Sequence, residues 1–179
     1  MYARQEKWSE AAALLKQGKR QEALREYEAA LKLEPTLTTA HVAADWILAS
    51  ENRLEEGIRH LEAGVRAAPD GVEGLAAPAW VRATEPDAKY RNGAEAVGLA
   101  EHAAGLTGRR DARVLSILAA AYAESGRFGE AVATAEQAER LCAAAGQMEQ
   151  ASAIVRKLEL YRRGEPYHRN QTSRPAGPG

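Results

Sequence analysis

The chain has 179 residues, 45% hydrophobic but only 6% aromatic, and its 24 basic and 25 acidic residues leave a net charge of −1. That balance argues against nucleic acid as the main partner, since phosphate binding needs a concentrated positive field. With Cys142 as the single cysteine there is no intrachain disulfide, and no stretch approaches the roughly 20 apolar residues of a membrane span.

The opening MYARQEKWSE lacks the apolar core of a signal peptide. A complete chain of this kind is expected to be soluble and cytoplasmic, an expectation that does not extend to a piece of a longer or exported protein. The apolar content is largely alanine and leucine, which suits close-packed helices better than a sheet.

A repeat organises the chain. Pro35 and Pro69 lie 34 residues apart, and at the same step Tyr27 aligns with Leu61, Ala23 with Gly57, Gly18 with Asn52 and Leu14 with Leu48. A fixed period of this length points to stacked helical hairpins. The first unit runs from about Arg4 to Pro35. Its first helix carries Trp8, Ala11, Leu14 and Leu15 at helical spacing, Gly18 marks the turn, and the second helix carries Ala23, Leu24, Tyr27, Ala30 and Leu31. Ala11 and Ala23 are expected where the two helices come closest.

The second unit runs from about Thr38 to Pro69, with Val42, Ala44 and Leu48, then Ile58, Leu61 and Val65; Gly57 and Gly64 replace the alanines of the first unit. The third unit is irregular. A short helix up to Thr84 is expected to start near Ala77 with Pro78 in its first turn, because an interior proline costs about 3 kcal/mol. Glu85-Pro86-Asp87 breaks the chain, and Asn92-Gly93 opens a helix over Ala94 to Leu106.

The fourth unit is regular again. Asp111 caps a helix with Val114, Leu115, Leu118, Ala119 and Tyr122; Gly126 turns the chain; Ala131, Ala135 and Ala138 continue a second helix. Met148 to Tyr161 reads as a closing helix over the end of the stack. The expected organisation is a repeat domain over 1–165 and a disordered or extended tail over 166–179, whose last ten residues are rich in Pro, Gly, Ser and Thr. The fold class is all-α, a right-handed α-solenoid of three to four antiparallel hairpins with a C-terminal capping helix.

These residues resemble the tetratricopeptide repeat (TPR) family. Gly18, Ala23, Tyr27, Ala30 and Pro35 match its pattern, and Tyr122, Gly126, Ala131 and Ala138 match it again. The stretches Ala79–Thr84, Arg91–Val97 and Leu118–Glu124 are similar to the end segment of bacterial members, some of them glycosyltransferase-like membrane chains with a repeat tail. The resemblance implies a bacterial source and a binding surface, and it carries over no catalytic residue. Some members grip a C-terminal carboxylate with lysine and asparagine on the inner face; here those places hold Trp8, Ala12, Val42 and Trp46, so that clamp is missing and an apolar segment is favoured.

The expected partner-binding row is Trp8, Ala12 and Leu15, then Val42, Trp46 and Ala49 at the same spacing 34 residues later, then Val81, Ser116 and Ala120. Trp8 and Trp46 are its aromatic anchors; the alternative is that both pack in the core. Asp45 falls where the first unit has Ala11, and a carboxylate at a close helix contact needs a partner, for which His41 is the local candidate.

His41, His60, His102 and His168 have no ligand spacing with Asp, Glu or Cys, so no metal and no cofactor are expected. Cys142 has no neighbouring base and reads as an inert apolar residue. Arg109, Arg110 and Arg113, and the basic stretch from Arg156 onward, are read as solvated faces, and Asn170-Gln171-Thr172 matches a glycosylation acceptor by pattern alone. The expected function is a non-catalytic protein-binding scaffold. The alternatives are a self-assembling repeat protein that stacks end to end, and the repeat segment of a larger glycosyltransferase-like protein.

Overall fold

A computed structural model describes the backbone of residues 2–169 and the side chains from residue 9 onward. Trp8 and the Asn170 acceptor pattern therefore lie outside the described side chains. Among the described residues the chain is all-helical: α1 Tyr2–Lys16, α2 Arg20–Leu33, α3 Thr38–Ser50, α4 Leu54–Ala67, α5 Val72–Thr84, α6 Gly93–Leu106, α7 Ala112–Glu124, α8 Phe128–Ala144 and α9 Met148–Arg162, with a 3₁₀ turn at Ala88–Tyr90. None of them is long and apolar enough to cross a membrane. The fold is an α-solenoid of helical hairpins, and it divides into two compact units between Gly74 and Leu75.

The first unit is built from α1 to α4. Ala11 and Ala23 are fully buried where α1 meets α2, and Leu24, Tyr27, Ile47 and Leu48 fill the space around them. Small side chains let two helix backbones approach, which is why the close contact falls on alanine. The next hairpin makes the same contact with a different pair. Asp45 stands where Ala11 stood and Gly57 where Ala23 stood, and a Cβ on Gly57 would come within 2.5 Å of Asp45 Oδ1 and 3.2 Å of its backbone. Glycine on α4 thus makes the room that the carboxylate on α3 takes up. His41 makes no hydrogen bond to Asp45. Its Nε2 faces the Pro35 carbonyl oxygen at 3.0 Å, its ring tilts against His60 at 5.9 Å between centroids, and its Nδ1 is buried without a hydrogen bond.

The interhelical corners explain the Gly18–Asn52 alignment. Gly18 has φ +77°, Asn52 +61° and Gly126 +75°. In each case the next residue's amide donates back to the last turn of the preceding helix: Lys19 to Leu14, Arg53 to Leu48 and Arg127 to Tyr122, at 3.0, 2.9 and 2.8 Å. This left-handed helix end favours glycine and tolerates asparagine. The repeated Leu14, Leu48 and Tyr122 supply the accepting carbonyls.

The second unit holds most of α5 and all of α6 to α9. Here α6 packs on α7, α7 on α8, and α8 on α9, so α9 closes the run. The helix bearing Pro78 departs from expectation. It begins at Val72, not near Ala77, and carries Pro78 in its interior. The carbonyl that Pro78 leaves without an amide belongs to Gly74, a residue with no side chain to crowd the proline ring and with Thr38 Cγ2 only 3.0 Å from its hypothetical Cβ. α5 and α6 do not close into a tight hairpin. Polar contacts join them instead: the Asn92 amide donates to Arg82 O at 2.9 Å, and Arg82 Nε lies 3.1 Å from Glu95. Asn92 and Asp111 cap α6 and α7 by accepting from the amides of Glu95, and of Arg113 and Val114.

Candidate functional site

Within the first unit, four of the expected row residues stay half-buried: Ala12 and Leu15 on α1, and Val42 and Trp46 on α3. Leu15 and Trp46 pack against the edge of the core. The Arg20 guanidinium stands 5.7 Å from the centroid of the Trp46 ring, a cation–π geometry that holds the indole with part of its area open. Ala49 is buried. Where α3 meets α4, burial holds both His41 and His60 below the usual imidazole range, and each is neutral at pH 7. No three His, Cys, Asp or Glu side chains among the described residues could hold a metal ion. Cys142 is buried, and burial pushes its thiol up, away from the reactive thiolate.

In the second unit the row takes a different form. Val81, Ser116 and Ala120 are buried, Ala120 almost completely. Half-buried residues outside the expected row gather beside it. Lys157 on α9 donates from Nζ to Ser116 Oγ on α7 at 2.9 Å, and the same ammonium lies 4.9 Å from the Trp80 ring on α5. Three helices thus meet at one lysine.

Residues 165–169 fold back onto this spot without regular structure. Tyr167 stacks on Trp80, centroids 5.9 Å apart and planes 28° apart, and Lys157 Nζ lies 5.5 Å from the Tyr167 ring. His168 Nε2 pairs with Glu124 Oε2 at 2.7 Å, and Arg91 Nε donates to the other oxygen of Glu124 at 2.8 Å. The Arg169 amide donates to the Thr84 carbonyl at 2.8 Å, satisfying an orphan acceptor at the end of α5, while its guanidinium pairs with Glu85. Both partners of that last ion pair are largely buried, with side-chain exposures of 11% and 13%.

Trp80 was within reach of the sequence. One 34-residue step from Trp46 lands on it, one position before Val81. Lys157, Glu85 and Glu124 carried no such signal, because their importance comes from the irregular third unit and from the returning chain.

Burial lowers the Lys157 ammonium to a pKa of about 8. A lysine so shifted beside a serine is a pairing that nucleophilic chemistry can use. Both residues lie inside helices, however, where backbone amides are committed to the helical ladder and do not point at the hydroxyl as oxyanion donors.

The shift has a consequence for stability. Between pH 8 and the ordinary lysine value of 10.5 the native lysine has lost its proton while the unfolded one keeps it, so stability rises with pH across that window. Lys157→Met is expected to remove a rise of about 1–3 kcal/mol. Tyr161 acts in the opposite sense above its unfolded value of 10, because burial raises its folded pKa. The informative comparison is therefore wild type against Lys157→Met, by urea denaturation between about pH 7.5 and 10. Parallel pH dependences for the two proteins would refute the assignment.

Residues 7–37 match the family model for the tetratricopeptide repeat. The match takes in α2 and most of α1. Solved structures extend the likeness, as one of fold, over most of the chain's length. PilW, a widely conserved type IV pilus biogenesis factor, superposes with a TM-score of 0.61 at 18% identity, covering 91% of this chain and 79% of PilW. TTC0263, a thermophilic TPR protein of Thermus thermophilus, gives a TM-score of 0.56 at 18% identity, covering 90% of this chain and 98% of that one. A MamA RS-1 ArsTM double mutant gives 0.54 at 14% identity, covering 89% and 94%. At these identities the likeness is one of fold. No curated protein sequence matches the chain significantly.

Proposed function

We propose that this tetratricopeptide-repeat chain is a non-catalytic scaffold that binds a segment of a partner protein on the inner faces of its helices. The observation that carries the reading is Trp46, half-buried on α3 with Arg20 over its ring and the half-buried Ala12, Leu15 and Val42 on the same pair of helices. A large aromatic held rigidly but left partly open is the kind of residue that dominates interface energetics. The favoured occupant is an apolar segment, since Ala12, Leu15, Val42 and Trp46 present an apolar strip on which Arg20 is engaged by the Trp46 ring. Truncating such an anchor typically costs about 2 kcal/mol or more. Trp46→Ala is therefore expected to weaken binding of a purified, captured partner by about thirtyfold in calorimetric titration, with helicity unchanged. A partner bound equally well by wild type and variant would refute the role of this strip.

A further inference from the structure

The geometry points to a second docking groove on the second unit, between α5, α7 and α9, that takes an extended segment bearing an aromatic residue two positions before an arginine; residues 165–169 of this chain occupy it in cis. The inference rests on the scaffold reading above and adds the chemistry of a ligand.

The occupant's side chains define that chemistry. Tyr167 enters an aromatic and cationic slot made by Trp80 and Lys157. Arg169 reaches Glu85, and His168 reaches Glu124. The two carboxylates lie where the segment turns basic, so the groove and the segment are complementary in charge. Arg91 holds the groove in this form independently of the segment: its Nη1 donates to the Glu85 and Pro86 carbonyls, both at 2.8 Å, while its Nε holds Glu124. Ser116 holds Lys157 in place.

The mode of attachment is that of a ligand more than of a structural element. Residues 165–169 have no helical or strand structure, and Pro166, Tyr167 and His168 stay partly open to solvent. Two amides of the segment donate to carbonyls of these helices: Arg169 to Thr84 at the end of α5, and Glu165 to Leu160 where the chain leaves α9. Extended peptides docked by side-chain anchors and sparse backbone bonds are a recurring mode of recognition. Covalent tethering supplies an effective concentration on the order of millimolar, which keeps a weak segment bound and makes an outside competitor work against it.

The test uses the full chain and a fluorescein-labelled synthetic peptide of sequence EPYHRN, copied from residues 165–170. Fluorescence anisotropy is read for wild type, for Tyr167→Ala/Arg169→Ala, and for that double variant with Trp80→Ala added. The expected result is peptide binding at least about tenfold tighter to the double variant than to wild type, lost again when Trp80 is removed. The Arg169→Ala single variant, which leaves the Trp80–Tyr167 stack intact, is expected to fall between the two.

Three results would overturn the proposal: a double variant with wild-type helicity that does not bind the peptide, equal binding to wild type and double variant, or loss of cooperative folding in both the double and the single variant. The last would make the segment a structural strap. The peptide probes only the second unit, so these failures leave Trp46-dependent partner binding untouched, and failure of that binding leaves the peptide result untouched.

Discussion

Gly93→Ala is expected to destabilise the protein by about 1–3 kcal/mol, whereas Gly98→Ala, five residues along the same helix, is expected to stabilise it by about 0.5–1 kcal/mol. The chemical change is identical, so intrinsic helix propensity favours alanine at both sites. The surroundings decide the sign. A Cβ at Gly93 would lie 2.6 Å from Ser125 Oγ and 2.9 Å from both the Glu124 carbonyl carbon and the Ser125 nitrogen. The hydroxyl could rotate away, but the backbone at the end of α7 cannot move without disturbing Glu124, which Arg91 and His168 hold. At Gly98 nothing lies within 4 Å of the same atom. Urea denaturation of the two variants measures the contrast. A Gly93→Ala protein as stable as wild type would mean that α6 and α7 are not held this closely.

The second large effect is at Tyr161 on α9. It is among the largest fully buried side chains, at 1% exposure, and its hydroxyl has no hydrogen-bond partner among the described residues. Tyr161→Ala is expected to cost about 3–5 kcal/mol, the usual range for emptying a buried aromatic site. Tyr161→Phe is expected to be neutral or stabilising by about 1 kcal/mol, because it removes a buried hydroxyl that gains no bond in exchange for its lost hydration. Thermal melts of the two variants separate the contributions of ring and hydroxyl. A phenylalanine variant less stable than wild type by more than about 1 kcal/mol would show that the hydroxyl is satisfied, for instance by a buried water.

Much of the fold was legible because it is written locally and repeated. The succession of Leu14, Gly18, Ala23 and Tyr27 encodes a helix end, a left-handed corner and a close helix contact within one short stretch, and the 34-residue step copies it. Asn92 and Asp111 cap helices because their side chains reach amides only two or three residues ahead. Such features need no distant partner, so sequence reveals them. The start of α5 was misread for a related reason. Proline disfavours the helix interior on local grounds, but the helix that begins at Val72 packs well enough to carry Pro78. Burial of Leu75, Ala76 and Ala79 in the core outweighs the lost hydrogen bond.

The candidate site was much less legible. The expected inner row followed the period through Trp46 and then placed Val81 and Ala120 on it, which the structure buries. Side-chain exposure depends on which neighbours arrive, and the third unit's irregular link changes them. Lys157 and Tyr167 belong to regions that the repeat does not describe. Their contact with Trp80 joins residues 77 and 87 positions apart in the chain.

By itself the sequence determined the helical class, the 34-residue hairpin period, the positions of the corners and caps, and the near-zero net charge. All of these follow from interactions within a few turns of helix or from composition. The tertiary structure alone decided that Asp45 is accommodated by Gly57 with no help from His41, that α5 runs through its proline, and that Trp80, Lys157, Glu85 and Glu124 gather around the chain's own residues 165–169. Those outcomes depend on long-range packing, where the free energy of a contact is set by partners far away in sequence and is not encoded in the spacing of any one segment.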